Sequence, residues 1–284
     1  RECAKMSIYK SDAAREAVLK HYDAVLAKWT IPYDTRLIPT RHGATHVITC
    51  GDPSAPPLVV LLGGNEIGPY FGLMMADYAR SFRVYVPDMI GQPGKSAEAR
   101  PGPVGYGEWL ADVFEAFTIK NALLLGMSFG GWVALRLATT RPDLLRGLVL
   151  LAPAGIAPMQ WGKLIPAILG SALLHKNHTE HLIKRFAVRP LNPDLLQSMV
   201  LIQASIKPTQ PEQPRYTDDA LVALNMPVLL LAGEQDPIFS ARVLVERAQR
   251  LIPNVTAETI SNAGHRLVND QPDVIRARVE QFAG

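Results

Sequence analysis

Residues 123–131 read Leu-Leu-Leu-Gly-Met-Ser-Phe-Gly-Gly, and they join a short apolar run to a stretch with the apolar spacing of a helix. The serine, Ser128, has a glycine two positions before it and another two positions after it. A sharp strand-to-helix turn needs glycines there, because a Cβ atom would collide with neighbouring backbone. The turn presents the serine hydroxyl at a helix N-terminus, where developing negative charge is stabilised. The stretch therefore predicts a nucleophilic serine.

Short apolar runs and helical segments alternate on both sides of this turn, as is typical of a parallel sheet covered by helices on both faces. The predicted parallel strands are residues 58–62, 82–86, 122–126, 147–152, 228–232 and 255–260. The predicted helices between them lie near residues 69–79, 106–117, 129–140, 241–251 and 272–282. An antiparallel pair at residues 35–40 and 44–50 precedes them, with Gly43 in its turn. We predict an α/β fold with a mostly parallel eight-stranded sheet.

Two segments lie outside this alternation. Residues 11–29 have the apolar spacing of one amphipathic helix, with Ser11 and Asp12 as candidate N-caps. Residues 153–226 contain no clear strand and carry helical patterns instead. We therefore predict an N-terminal helical extension at residues 1–34. The α/β core is expected in two pieces, residues 35–153 and 217–284, and a helical cap at residues 154–216 is inserted after the sixth strand.

A serine hydroxyl needs a general base, and the base needs an acid that orients it. Of the seven histidines, His265 alone follows the last predicted strand, and this places it at the same sheet edge as Ser128. The loop after the fourth parallel strand cannot supply the acid, because residues 144–179 contain neither Asp nor Glu. The loop after the fifth offers Asp236 and Glu234. We favour Asp236, which lies farther along the loop, and keep Glu234 as the alternative.

The order serine, aspartate, histidine along the chain resembles that of the α/β-hydrolase family. Two further motifs carry the resemblance over nearly the whole chain. Residues 88–96 are similar to the family's Asp-x-x-Gly-x-Gly-x-Ser turn, and residues 233–236, Gly-Glu-Gln-Asp, match its usual acid loop. The resemblance implies the α/β-hydrolase fold with a helical cap over the active site. It also implies that Asp88 organises a turn and takes no part in catalysis.

Acyl transfer needs hydrogen-bond donors for an oxyanion. One expected donor is the backbone N–H of Phe129, the residue after the nucleophile. By the resemblance, the second is the N–H of Asn65, where Gly63-Gly64-Asn65 replaces the family's His-Gly-x. The histidine that commonly braces this loop is therefore absent. Gly64 and Met127, beside the two donors, are expected to contact the substrate.

The predicted cap begins with an apolar helical face that either packs on the core or lines an acyl pocket. We expect Trp161 and Ile165 to contact the substrate. The face comprises Trp161, Leu164, Ile165, Ile168, Leu169 and Leu173.

Composition excludes several other classes of protein. The chain has 29 Lys and Arg against 26 Asp and Glu, spread without a basic stripe, so nucleic-acid binding is not indicated. No apolar run approaches the ~20 residues of a membrane span. Cys3 and Cys50 form no disulfide or metal pattern, and with no secretory signal this favours the cytoplasm. His175, His178 and His181 are expected on a solvated helix face, so no metal is predicted.

Together these features predict a serine hydrolase, without a cofactor, that cleaves carboxylic esters of small to medium apolar acyl or alcohol groups. The expected partner is a small-molecule ester, and the chain is expected to be a monomer or a homodimer. The same triad would serve a carbon–carbon bond hydrolase, a lactonase or amidase, or a cofactor-free perhydrolase. A non-catalytic ligand-binding protein is the alternative from another class. Dehalogenases and epoxide hydrolases are disfavoured, because they carry Asp at the position of Ser128.

Overall fold

An eight-stranded sheet forms the centre of the protein in the computed structural model, which describes residues 7–174, 177–208 and 211–284. In chain order the strands are β1 (Tyr33–Ile38), β2 (Thr45–Cys50), β3 (Pro57–Leu61), β4 (Arg83–Pro87), β5 (Ala122–Met127), β6 (Leu145–Leu151), β7 (Val228–Gly233) and β8 (Val255–Ile260). Their order across the sheet is β1-β2-β4-β3-β5-β6-β7-β8. β2 runs antiparallel to both of its neighbours, and all other neighbouring pairs are parallel. The predicted sheet is confirmed.

Helices cover both faces of this sheet, as predicted. In chain order the α-helices of the described residues are α1 (Asp12–Leu26), α2 (Tyr70–Met74), α3 (Pro103–Ala116), α4 (Phe129–Thr140), α5 (Trp161–Leu174), α6 (His178–Lys184), α7 (Pro193–Ser205), α8 (Asp218–Val222), α9 (Ala241–Leu251), α10 (Leu267–Asp270) and α11 (Pro272–Ala283). Helices α3, α4 and α9 pack on one face, and α1, α2 and α11 pack on the other. Strand β3 shows why the strands are apolar throughout. Val59 and Leu61 pack on the first face, whereas Leu58 and Val60 pack on the second.

Several predicted elements have slightly different bounds in the structure, and two of the differences have a clear local cause. The first strand of the hairpin ends at Ile38, because the next residue is Pro39, which has no N–H to donate to a partner strand. The helix predicted at residues 69–79 is split. Helix α2 ends at Met74, the backbone of Met75 leaves the helical region with φ −139° and ψ 18°, and a 3₁₀ helix follows at Ala76–Arg80.

The N-terminal helix α1 connects the core to the insertion between β6 and β7. It begins after Ser11, whose hydroxyl accepts a hydrogen bond from Ala14 N–H at 3.2 Å, as predicted for an N-cap. Its other end meets α7, where Lys28 Nζ lies 2.7 Å from Asp194 Oδ2. The insertion contains helices α5 to α8, in agreement with the predicted helical character. The division into an extension, a core and a cap as separate domains stays a prediction.

Candidate active site

Ser128 lies at the sharp turn between β5 and α4. Its backbone has φ 49° and ψ −112°, a conformation that costs a non-glycine residue about 1–3 kcal/mol. Hydrogen bonds hold the turn on both sides. Ser128 N–H donates to Leu151 O at 3.0 Å, and Ser128 O accepts from Trp132 N–H at 3.1 Å and from Ala154 N–H at 3.0 Å. The sharp strand-to-helix turn predicted from the glycine spacing is therefore present.

The two glycines around Ser128 allow this turn to lie against its neighbours. A Cβ atom on Gly130 would lie 2.4 Å from the carbonyl oxygens of both Leu61 and Leu62. A Cβ atom on Gly126 would lie 2.5 Å from the carbonyl oxygen of Gly130. Both obstacles are backbone atoms, which cannot rotate away as a side chain can. Glycine is required at position 130 because α4 begins so close to the end of β3, and at position 126 because the first residues of α4 lie directly against the end of β5.

The imidazole of His265 contacts Ser128 on one side and Asp236 on the other. Nε2 lies 3.0 Å from Ser128 Oγ, and Nδ1 lies 2.8 Å from Asp236 Oδ2. The side chains of His265 and Asp236 are 12% and 1% exposed. A buried carboxylate on Nδ1 favours the tautomer with the proton on Nδ1, so that Nε2 can accept a proton from serine. This arrangement has the geometry of a catalytic triad.

The loop after β7 brings Asp236, rather than Glu234, to the histidine. The second carboxylate oxygen of Asp236 accepts hydrogen bonds from Ile238 N–H at 2.7 Å and from Phe239 N–H at 3.2 Å. Glu234 is exposed. Only Asp236 is therefore both buried and oriented by its own loop.

A second buried carboxylate, Asp270, holds the loop that carries His265. It accepts hydrogen bonds from Gly264 N–H at 2.8 Å and from the N–H groups of Val188 and Arg189 at 3.0 Å. It therefore connects the histidine loop to the segment after α6. Sequence reasoning missed both Asp270 and its short helix α10. An aspartate two residues after the apolar pair at residues 267–268 was the signal that could have indicated it.

The two predicted oxyanion donors differ in their present partners. Phe129 is the first residue of α4, so its N–H has no acceptor within the helix. Asn65 N–H, in contrast, donates to Gln92 Oε1 at 2.8 Å, and Gln92 is buried. The Asn65 side chain donates from Nδ2 to Gln203 Oε1 of α7 at 3.2 Å. An oxyanion that uses Asn65 N–H must therefore replace or share the Gln92 oxygen, a competitor that the sequence did not indicate.

A cavity of about 600 Å³ opens onto Ser128 and His265. Three of the four predicted substrate contacts, Gly64, Met127 and Trp161, line it. Much of the remaining wall is apolar and includes Met74, Leu151, Met159, Phe186, Ile238 and Val268. A cavity of this size and character is suited to a small or medium apolar ligand.

Ile165, the fourth predicted contact, does not line the cavity. It lies one turn after Trp161 on α5 and is 50% exposed. Leu164 of the same helix is buried, whereas Ile168 and Leu169 are also exposed. The spacing correctly placed Trp161 and Ile165 on adjacent turns of one helix, but within residues 161–170 of α5 only the first turn reaches the cavity.

The remaining predictions concern metals and membranes. His178 and His181 lie on α6, whereas His175 and Cys3 lie outside the described residues. Across residues 7–174, 177–208 and 211–284, no three His, Cys, Asp or Glu side chains are grouped so that they could hold a metal ion. Over the same residues, no helix combines the length and the apolar character that a bilayer crossing requires.

Known proteins resemble this chain in both sequence and structure. Residues 42–278 match the model of the alpha/beta hydrolase family. The chain is 31% identical to carboxylesterase YbfK of Bacillus subtilis (strain 168) over 275 residues, which cover 92% of this chain and 91% of the relative. The crystal structure of that carboxylesterase matches this one with a TM-score of 0.84 at 29% identity. The match covers 95% of this chain and 98% of the carboxylesterase chain. The crystal structure of naproxen esterase from Bacillus subtilis has a TM-score of 0.85 at 27% identity, covering 96% and 99%.

Proposed function

Since this chain belongs to the alpha/beta hydrolase family and is a serine hydrolase, we propose that it cleaves carboxylic esters of small to medium apolar acyl or alcohol groups. In this proposal Ser128 is the nucleophile, His265 the general base and Asp236 the acid that orients the histidine. The observation that carries the proposal is the pair of contacts made by His265, at 3.0 Å to Ser128 Oγ and at 2.8 Å to Asp236 Oδ2.

The first half of the reaction is acylation. His265 Nε2 takes the proton of Ser128 as Oγ attacks the ester carbonyl, and a tetrahedral intermediate forms with its negative charge on the former carbonyl oxygen. The intermediate collapses when the bond to the alcohol oxygen breaks. His265 returns its proton to that oxygen, so the alcohol leaves and the acyl group stays on Ser128 as an ester.

The second half is hydrolysis of the acyl-enzyme. His265 takes a proton from water, which attacks the acyl carbonyl, and the protonated histidine then returns the proton to Ser128 Oγ as the acid leaves. In both halves the oxyanion accepts from Phe129 N–H and from Asn65 N–H, the latter in place of the Gln92 oxygen. Donors fixed before the reaction stabilise the transition state more than mobile ones, because they need no reorganisation as charge develops.

The size of the accepted ester follows from the cavity. Its volume of about 600 Å³ and its apolar walls support a small or medium apolar group. Gly64, Met127 and Trp161 are the proposed contacts to that group. The names of the relatives, a carboxylesterase and an esterase of naproxen, support ester hydrolysis as the reaction. A small-molecule ester is therefore the proposed partner.

The test is covalent labelling with a fluorophosphonate, followed by turnover of p-nitrophenyl esters of increasing acyl length. The wild-type protein should gain the mass of one label and hydrolyse the shorter esters. Ser128→Ala should gain no label, and its kcat should fall by about 10⁴-fold or more. The kcat of His265→Ala should fall by a similar factor, because Ser128 and His265 act as one unit.

Ser54→Ala is the matched control, since Ser54 lies on an exposed turn away from the cavity. This variant should be labelled by the fluorophosphonate and should hydrolyse the esters as the wild-type protein does. Labelling of Ser128→Ala to the wild-type extent would refute the assigned nucleophile, and wild-type protein that neither labels nor hydrolyses any ester would refute the proposed function.

A further inference from the structure

Glu66 follows directly on the loop Gly63-Gly64-Asn65, and its carboxylate contacts two distant parts of the active site. Oε2 accepts a hydrogen bond from Gly63 N–H at 2.9 Å. Oε1 accepts from Arg266 Nη1, also at 2.9 Å. Because Arg266 is the residue after His265, one carboxylate connects the oxyanion loop to the loop of the general base.

The turn around Glu66 is built for this contact. Glu66 N–H donates to Gly63 O at 3.3 Å, which closes the turn on itself. A Cβ atom on Gly63 would lie 3.2 Å from the Glu66 carboxyl carbon and from Oε2, closer than side chains ordinarily approach. Glycine at position 63 therefore leaves space for the carboxylate of Glu66, which takes over the bracing of the loop.

The ion pair between Glu66 and Arg266 is largely shielded from water. Their side chains are 11% and 19% exposed, and both line the cavity together with Ser128 and His265. Removal of one partner from such a pair leaves the other charge poorly solvated, so breaking this pair costs more than breaking one on the surface.

We propose that Glu66 and Arg266 are positioning residues, which hold the oxyanion loop at a set distance from His265 and Ser128. This rests on the proposed function. Neither side chain touches the reacting atoms in this role. Their effect is to keep the loop donors in place when the Gln92 oxygen is replaced by the oxyanion. A displacement of about 1 Å at such a donor costs a large rate factor, because the stabilisation depends on geometry.

The test measures kcat and KM for a p-nitrophenyl ester per active site, with the sites counted by fluorophosphonate titration. Glu66→Ala should lower kcat by about 10- to 100-fold, with little change in KM. Glu66→Gln should lower kcat by a smaller factor, because its amide oxygen can still accept a hydrogen bond from Gly63 N–H. Arg266→Ala should also lower kcat. The double variant Glu66→Ala/Arg266→Ala should be no slower than the slower single variant, since both act through one contact.

Glu258→Ala is the matched control. It removes the carboxylate of an ion pair of similar length, 2.8 Å to Arg278, outside the cavity wall, and should keep the wild-type kcat. The positioning role would be overturned if Glu66→Ala and Glu66→Gln had fewer titratable sites but an unchanged kcat per titrated site. Glu66 would then have only a structural role. Wild-type protein without any labelling or turnover would refute the proposed function itself, and the positioning role with it.

Discussion

The turn at Ser128 and the first turn of α5 line the same cavity, but they are held in place in different ways. Ser128 and its neighbours are fixed by backbone hydrogen bonds to β6 and by glycines packed against backbone atoms of β3 and the residue after it. Trp161 of α5 also lines the cavity, yet it is 56% exposed. One wall is therefore specified by backbone contacts, and the other by side chains with few neighbours.

The difference between the two cavity walls indicates which properties of the enzyme can change easily. The reacting groups lie on a part of the fold where a single added methyl group meets immovable atoms. The cap wall can accept a different side chain without disturbing the core. We therefore expect substitutions on the core side to affect the chemical step or the stability, and substitutions on α5 to affect only the choice of ester.

The strongest test of the comparison changes the acid on the core side. Asp236→Asn should lower kcat by about 10²- to 10⁴-fold, because an amide no longer favours the histidine tautomer whose Nε2 accepts the serine proton. The loss is measured as ester turnover per titrated site. Glu234→Gln, in the same loop but exposed, should remain close to wild type. Loss of activity in Glu234→Gln with retention in Asp236→Asn would reverse the assignment of the acid.

A smaller effect is expected on stability. Gly130→Ala should lower the free energy of unfolding by about 3 kcal/mol, because its Cβ atom would lie 2.4 Å from two carbonyl oxygens. Gly162→Ala on α5 is the control, since a Cβ atom there meets nothing within 4 Å. That change should be neutral or stabilising by about 0.5–1 kcal/mol. Urea denaturation of both variants measures their free energies of unfolding. Equal free energies for Gly130→Ala and Gly162→Ala would contradict the contrast between the two cavity walls.

The smallest effect is expected from the cap wall. Trp161→Ala should change the ratio of kcat/KM between long and short acyl esters by about tenfold, because part of the apolar wall is lost. The melting temperature should stay near that of the wild type, since the side chain is half exposed. Ile165→Ala, one turn farther and outside the cavity, should leave the ratio unchanged. A shift of similar size in Ile165→Ala would mean that the substrate reaches farther along α5 than the cavity does.

The sequence predicted the parts of the site that depend on residues close together in the chain. The strained turn at Ser128 follows from glycines two positions away on either side, and the place of His265 follows from the strand just before it. The choice of Asp236 over Glu234 was weaker, because two carboxylates in one loop differ only in the direction that the loop takes. The structure shows that direction through the N–H groups of Ile238 and Phe239.

Contacts between distant residues could not be predicted in the same way. Gln92 accepts from Asn65 N–H across 27 positions of the chain, and Arg266 pairs with Glu66 across 200. Neither pair has a local signature, because its formation depends on how separate loops pack at the sheet edge. The prediction that Ile165 lines the pocket failed for a related reason, since helical spacing fixes which residues share a face but not how far the cavity extends along it.

By itself, then, the sequence determined the eight-stranded fold, the turn that carries Ser128 and the loop that carries His265. These are matters of apolar periodicity and of backbone conformations that only certain residue types adopt. The tertiary structure alone decided the triad contacts, the Gln92 oxygen at the oxyanion loop and the carboxylate of Glu66 that braces it. Those contacts join side chains far apart in the chain, and their geometry is set by packing rather than by any local preference.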